Sequence, residues 1–84
     1  MANIIIVNIR VIFKQEATLM ISYDPFWITL KEKKISQYQL IHKYNVSAGQ
    51  LSRMRKNDDI STHTINMLCE ILDCQISDIV MYYK

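Results

Sequence analysis

Glycine and proline are scarce in this chain, which has one of each among its 84 residues. Because these two residues interrupt helices most strongly, their scarcity predicts short loops and a high helical content. A chain of this length forms one domain and buries only roughly 60% of its unfolded surface, which leaves little room for an enclosed cofactor cavity. No glycine-rich phosphate loop is possible, and the Ser, His and Asp residues follow no catalytic pattern. The composition therefore argues against an enzyme and predicts no cofactor.

Cysteine is also rare, and the two that occur, Cys69 and Cys74, are too few for a disulfide framework. Together with His42 and His63 they fit no common zinc spacing, so no metal site is predicted. The apolar run from Ile4 to Phe13 is too short to span a bilayer and lacks the basic segment that opens a secretory signal. These absences make the cytoplasm the default compartment, with no membrane partner and no small-molecule substrate expected.

The residues of that apolar run are mostly β-branched, which suits a β-strand. Three interpretations remain open for residues 1–19. They could form an edge strand that pairs with a second subunit, an appendage packed on a helical domain, or translated upstream sequence before a domain that begins at Met20. We treat residues 1–19 as an N-terminal extension and residues 20–84 as the domain.

Charge is divided unevenly along the chain. Residues 31–56 carry seven Lys and Arg side chains against one Glu, a net charge of +6, whereas residues 57–84 carry a net charge of −4. A basic middle segment beside an acidic one favours a polyanionic partner for the middle segment.

Helix signals repeat from Asp24 onward and predict five short helices. Capping residues precede each one: Asp24 with Pro25, Ser36 with Gln39, Ser47 with Gln50, Ser61, and Ser77. Apolar side chains follow at helical spacing and predict the buried faces: Phe26, Trp27 and Leu30; Leu40, Ile41 and Tyr44; Leu51 and Met54; Ile65, Leu68, Cys69 and Leu72; Ile79, Val80 and Tyr83. The predicted fold is therefore a compact, all-α, five-helix domain with a possible N-terminal β-strand appendage.

The second and third helices are predicted to be joined by only about three residues, with Asn45 at the turn because asparagine tolerates a left-handed backbone. Such a short link exposes the second helix of the pair across the first. The exposed side of that helix carries Gln50 and Arg53, which can read adenine and guanine edges respectively. Other polar residues suit phosphate oxygens: Gln37, Ser47, Ser52, Lys56 and, less centrally, Arg55.

The stretch ISQYQLIHKYNVSAGQLSRMRKN resembles the helix-turn-helix of lambda-repressor-like regulators, the Cro or XRE type. The family shows a Ser-Gln or Thr-Gln pair that opens its second helix, a Val-Ser pair that ends the turn, and an Ile-Ser-Arg or Leu-Ser-Arg run in its third helix. Here these are Ser36-Gln37, Val46-Ser47 and Leu51-Ser52-Arg53. The flanking helices are also similar, so the resemblance covers about residues 20–84.

The resemblance implies a role for each matching position. Gln37 would contact a phosphate, and Ser47, Ser52 and Lys56 would hold the DNA backbone. Four residues would face bases: Ala48, Gly49, Gln50 and Arg53. Two residues depart from the family pattern, since Ile41 replaces a usual small residue and Asn45 replaces the usual turn glycine.

The resemblance implies a sequence-specific, double-stranded DNA-binding transcriptional regulator, a repressor that acts as a homodimer. Its recognition helix, about residues 47–56, would enter the major groove. The alternative is a protein-binding module on the same fold, antitoxin-like or an inhibitor, because a fold does not fix a function. Arg53→Ala and Gln50→Ala would disrupt the first function and leave the second nearly unchanged.

Overall fold

The computed structural model describes residues 20–83. Its elements, in chain order, are β1 (Met20–Ser22), α1 (Asp24–Lys33), α2 (Gln37–His42), α3 (Ala48–Arg55), α4 (Thr62–Leu72), a 3₁₀ turn (Ile76–Asp78) and β2 (Met81–Tyr83). The two strands pair antiparallel, with Met20 opposite Tyr83 and Ser22 opposite Met81. The sheet therefore joins the start of the described chain to its end, beside the helices.

The prediction of five helices is wrong, because the described residues contain four α-helices. Ser77 does not cap a final helix; it lies inside the 3₁₀ turn, whose preceding cap position is Gln75. Tyr82, Tyr83 and Val80 are aromatic or β-branched residues, which suit a strand. Residues 81–83 pair with β1 instead. The predicted strand within Ile4–Phe13, like the proposed roles of residues 1–19, lies outside the described residues.

The serine caps predicted for α2 and α4 are confirmed. The Ser36 hydroxyl accepts a hydrogen bond from the Gln39 backbone N–H at 3.1 Å, and the Gln39 side chain accepts one from the Ser36 N–H at 2.9 Å. The Ser61 hydroxyl accepts from the Thr64 N–H at 3.1 Å. These bonds satisfy N–H groups that have no partner within a first helical turn.

The prediction that Asp24 caps the first helix is wrong by one position. Tyr23 occupies the cap position of α1, Asp24 is the first helical residue, and Pro25 follows it. The Ser22 hydroxyl accepts from the Asp24 N–H at 3.1 Å, so a serine just upstream satisfies that donor. Proline is tolerated here because its missing N–H would have no helical partner.

The core is formed by ten buried apolar residues, seven from the four α-helices and three from the segments between elements: Tyr23, Phe26, Leu30, Leu40, Val46, Leu51, Met54, Leu68, Leu72 and Ile79. The predicted inward faces of α3 and α4 are therefore correct in their main members. Trp27, predicted as core with Phe26, is only partly buried, and the two rings pack in a T-shaped arrangement with centroids 4.7 Å apart. Ile41, which departs from the family pattern, packs partly buried against the same core.

Tyr23 connects the start of α1 to the loop that follows α3. Its hydroxyl donates to the Asp58 carbonyl oxygen at 2.8 Å, and its backbone N–H donates to the Asn57 side-chain oxygen at 3.2 Å. Burial, followed by the charges of Asp59 and Asp58, raises the pKa of Tyr23 above its ordinary value. Burial and the neighbouring Cys69 likewise raise the pKa of the Cys74 thiol from 9.0 to about 11.

Both shifts predict a loss of stability at alkaline pH. A group whose pKa is raised by folding stabilises the native state below its unfolded pKa, and that contribution disappears as the pH rises through the folded pKa. We expect the free energy of unfolding to fall from pH 9 upward, because Cys74 loses its proton more readily in the unfolded state. It should fall further above pH 10 for the same reason at Tyr23. Urea denaturation across this range measures the slope. The slope above pH 10 should be shallower in Tyr23→Phe; an unchanged slope would contradict the assignment.

Candidate nucleic-acid interface

α2 and α3 form a helix-turn-helix whose link runs over residues 43–47, five residues rather than the predicted three. Asn45 adopts the left-handed conformation expected of it, with a φ of 60°. The Val46 N–H donates to the Leu40 carbonyl oxygen at 2.9 Å, and both side chains are buried in the core. This turn fixes the angle between the helices and holds one side of α3 outward.

α3 has one buried side and one exposed side. Leu51 and Met54 are fully buried and anchor the helix to the core. The opposite side exposes Ala48, Gly49 and Arg53, three of the four residues predicted to face bases. The fourth, Gln50, is half-buried, as is the predicted phosphate contact Ser52, whereas Ser47, Arg55 and Lys56 are exposed. The predicted residues therefore lie mainly on the outward side of one helix.

The electrostatics of this surface are uniform in sign. Residues 33–57, which include all of α2 and α3, contain six Lys and Arg side chains and no Asp or Glu. The Arg53 side chain has no hydrogen-bond or salt-bridge partner among residues 20–83, so its guanidinium donors remain available. A segment that carries cations and no carboxylate attracts phosphates and favours the approach of a polyanion to α3.

Gln37 and Arg55 are brought together although they lie 18 positions apart. An Arg55 guanidinium N–H donates to the Gln37 side-chain oxygen at 2.6 Å, which links the start of α2 to the end of α3. Both residues were predicted separately as phosphate contacts, and nothing in the local sequence indicated that they are paired. The bond uses the Gln37 oxygen, so the NH₂ group is the end of this amide that remains for another partner.

Gln50 departs from its predicted capping role. The Ser47 hydroxyl accepts from the Gln50 backbone N–H at 3.3 Å, which confirms the cap of α3. The reciprocal half of the capping box is wrong: the Gln50 side-chain oxygen accepts from the Ser61 backbone N–H at 2.8 Å. The local sequence pattern marks Ser61 only as the start of α4, whereas its N–H also anchors a predicted base-reading side chain.

The structure has room for a side chain at Gly49. A Cβ atom at this position would meet the Ser47 hydroxyl oxygen at 3.5 Å, an ordinary van der Waals distance, and its φ is not positive. Neither backbone conformation nor packing therefore requires glycine here. Glycine inside a helix normally costs roughly 0.5–1 kcal/mol relative to alanine, so a requirement for glycine would come from outside the chain.

Two other kinds of site, a metal centre and a membrane span, are absent from the part of the chain that the structure describes. Within residues 20–83 no group of three or more His, Cys, Asp and Glu side chains is arranged to hold a metal ion. No helix in this part of the chain combines the length and apolar character needed to cross a membrane. The outward side of α3 carries most of the predicted contact residues, and Arg55 links it to the start of α2, so this surface is the candidate site.

Comparison with known proteins defines the class to which this fold and site belong. Residues 26–84 match the family model of the Cro/C1-type helix-turn-helix DNA-binding domain, and the chain belongs to this family. Among solved structures, it is similar to the transcriptional regulator VanUg in its crystal form II. The two have a TM-score of 0.68 and 25% sequence identity, over 75% of this chain and 84% of VanUg. No match was found among curated protein sequences.

Proposed function

We propose that this protein is a transcriptional regulator that binds a specific double-stranded DNA sequence by inserting α3 into the major groove. The observation that carries the proposal is the outward side of α3, where Arg53 stands without an internal partner in a segment of 25 residues that has no carboxylate. Arginine is the side chain best suited to guanine in the major groove. The similarity to a transcriptional regulator supports the same function.

In this arrangement the predicted residues divide into two groups. Ala48, Gly49, Gln50 and Arg53 face the bases, and Gln37, Ser47, Ser52, Arg55 and Lys56 contact phosphates. The phosphate contacts fix the register of α3 on the duplex, while the base contacts select the sequence. Because Ala48 and Gly49 lack polar groups, discrimination depends on Gln50 and Arg53.

We further propose that the protein binds as a homodimer and represses transcription. A single module of this size covers little DNA, and helix-turn-helix domains gain affinity by pairing on half-sites about one helical turn apart. The β1–β2 sheet exposes Ile21, Met81, Tyr82 and Tyr83, an apolar surface that suits a second copy. Repression needs only occupancy of a promoter, which a small domain can provide.

Arg53→Ala is expected to weaken binding to the cognate duplex by about one to two orders of magnitude, the range of a lost bidentate base contact. Fluorescence anisotropy measures this with the DNA that flanks the protein's own gene and a scrambled duplex, at several salt concentrations. Lys31→Ala, which removes an exposed cation from α1, is the matched control and should bind almost as the wild type does. A homodimer requires two chains per duplex at saturation.

One result would overturn the proposal. If binding is weak, equal for both duplexes and insensitive to Arg53→Ala, the protein does not read sequence through α3. The protein-binding alternative would then account better for the fold.

A further inference from the structure

Three glutamine side chains on α2 and α3 are each held by a hydrogen bond to the amide oxygen. The oxygens of Gln37, Gln39 and Gln50 accept hydrogen bonds from Arg55, Ser36 and Ser61 at 2.6, 2.9 and 2.8 Å. Each donor is a guanidinium or backbone N–H, which can donate but cannot accept. Each amide oxygen must therefore point at its donor, and the NH₂ group is the end left for another partner.

This orientation changes what Gln50 can recognise. The bidentate contact of glutamine with adenine needs its oxygen to accept from the adenine N6 amino group while its NH₂ donates to N7. The Gln50 oxygen is instead directed at the Ser61 N–H. Gln50 can offer both N–H donors to a base, whereas one lone pair of its oxygen and the direction of its C=O bond are committed to the Ser61 N–H.

The other residues proposed to face bases supply no side-chain acceptor. Ala48 and Gly49 have no polar side-chain atoms, and Arg53 carries only donors. Among the four bases, guanine alone presents two acceptors, O6 and N7, and no donor at its major-groove edge.

This inference rests on the proposed function. We infer that the residues of α3 that face bases offer mainly hydrogen-bond donors, which favours guanine over adenine at the base read by Gln50. This inference replaces the expectation that Gln50 pairs with adenine. Ser61 acts as a positioning residue, because its backbone N–H sets the orientation of the Gln50 amide without touching DNA.

Ser61→Pro removes that N–H and releases the Gln50 oxygen. The φ of Ser61 is −76°, which a proline ring accommodates. The substitution also removes the serine cap of α4, so Ser61→Ala is the matched control: it loses the same hydroxyl but retains the N–H. The two variants differ in the bond to Gln50 and share the loss of the cap.

Gln50→Glu tests the same inference by changing the acceptor of the Ser61 hydrogen bond instead of its donor. One carboxylate oxygen can still accept from the Ser61 N–H, while the second replaces the NH₂ donor. Glutamate accepts from the cytosine N4 amino group, so the variant should select cytosine at the position where the wild type selects guanine. That base then marks the position read by Gln50. Because Ser61 and its cap remain, this variant stays informative if circular dichroism shows that Ser61→Pro is unfolded.

The experiment selects bound sequences from a random duplex library with the wild type and all three variants. We expect the wild type to select guanine at the marked base, Ser61→Pro to raise the frequency of adenine relative to guanine about tenfold, and Ser61→Ala to keep the wild-type preference. A wild type that selects adenine there, or an equal shift in Ser61→Ala and Ser61→Pro, would overturn the inference while leaving the proposed function standing. Absence of any selected sequence would overturn both.

Discussion

Gly49→Glu is expected to make the domain slightly more stable and to abolish its specific binding to DNA. The added Cβ meets the Ser47 hydroxyl oxygen at 3.5 Å, so nothing in the fold must move. Replacing a helical glycine gains roughly 0.5–1 kcal/mol in a helix interior and less in a first turn. The first turn of α3 has no acidic residue, and a carboxylate there interacts favourably with the positive end of the helix by about 0.3–1 kcal/mol.

The loss of binding follows from the position of the same side chain. Gly49 is exposed on the outward side of α3, within a segment that has no carboxylate. A carboxylate there would enter the groove between two phosphate backbones, and repulsion together with its bulk should lower affinity by at least about 100-fold.

Thermal denaturation and anisotropy on the same samples measure the two effects. Gly49→Gln adds similar bulk without charge, and Gly49→Ala adds only a methyl group, so the three variants separate size from charge. Binding by Gly49→Glu at wild-type strength would show that this side of α3 does not face DNA.

The helix starts and the turn could be predicted from the sequence because they depend on neighbouring residues. A serine cap needs only the N–H three positions on, as at Ser36, Ser47 and Ser61. Asn45 needs only its own tolerance of a positive φ. Such local interactions are encoded within one turn of chain, so reading the sequence recovers them.

Other features depend on residues that are distant in sequence, and these were missed. β2 forms because Tyr83 pairs with Met20, at the opposite end of the described chain, and the same residues read locally suggested a helix. The bonds from Arg55 to Gln37 and from Ser61 to Gln50 likewise join separate elements. The family resemblance located the candidate site, but the orientation of its amides depends on these long-range bonds.

Phe26→Ala is expected to unfold the domain at about 25 °C. Phe26 is fully buried at the centre of a core of ten residues. Removing a buried phenylalanine costs about 3–5 kcal/mol, and a core of this size rarely supplies more than about 3–5 kcal/mol in total. Circular dichroism and urea denaturation measure the loss. Ile28→Ala, on the same helix but with the isoleucine 60% exposed, should change stability by less than about 0.5 kcal/mol.

The same substitution should eliminate DNA binding although Phe26 lies outside the helix-turn-helix. α3 has eight residues, fewer than an isolated helix needs to persist in water, so its outward side exists only while Leu51 and Met54 are held in the core. Phe26→Ala should therefore lose fold and binding together, whereas Gly49→Glu should lose binding alone. A cooperative melt of Phe26→Ala within about 5 °C of the wild type, with DNA binding retained, would show that α3 does not depend on this core.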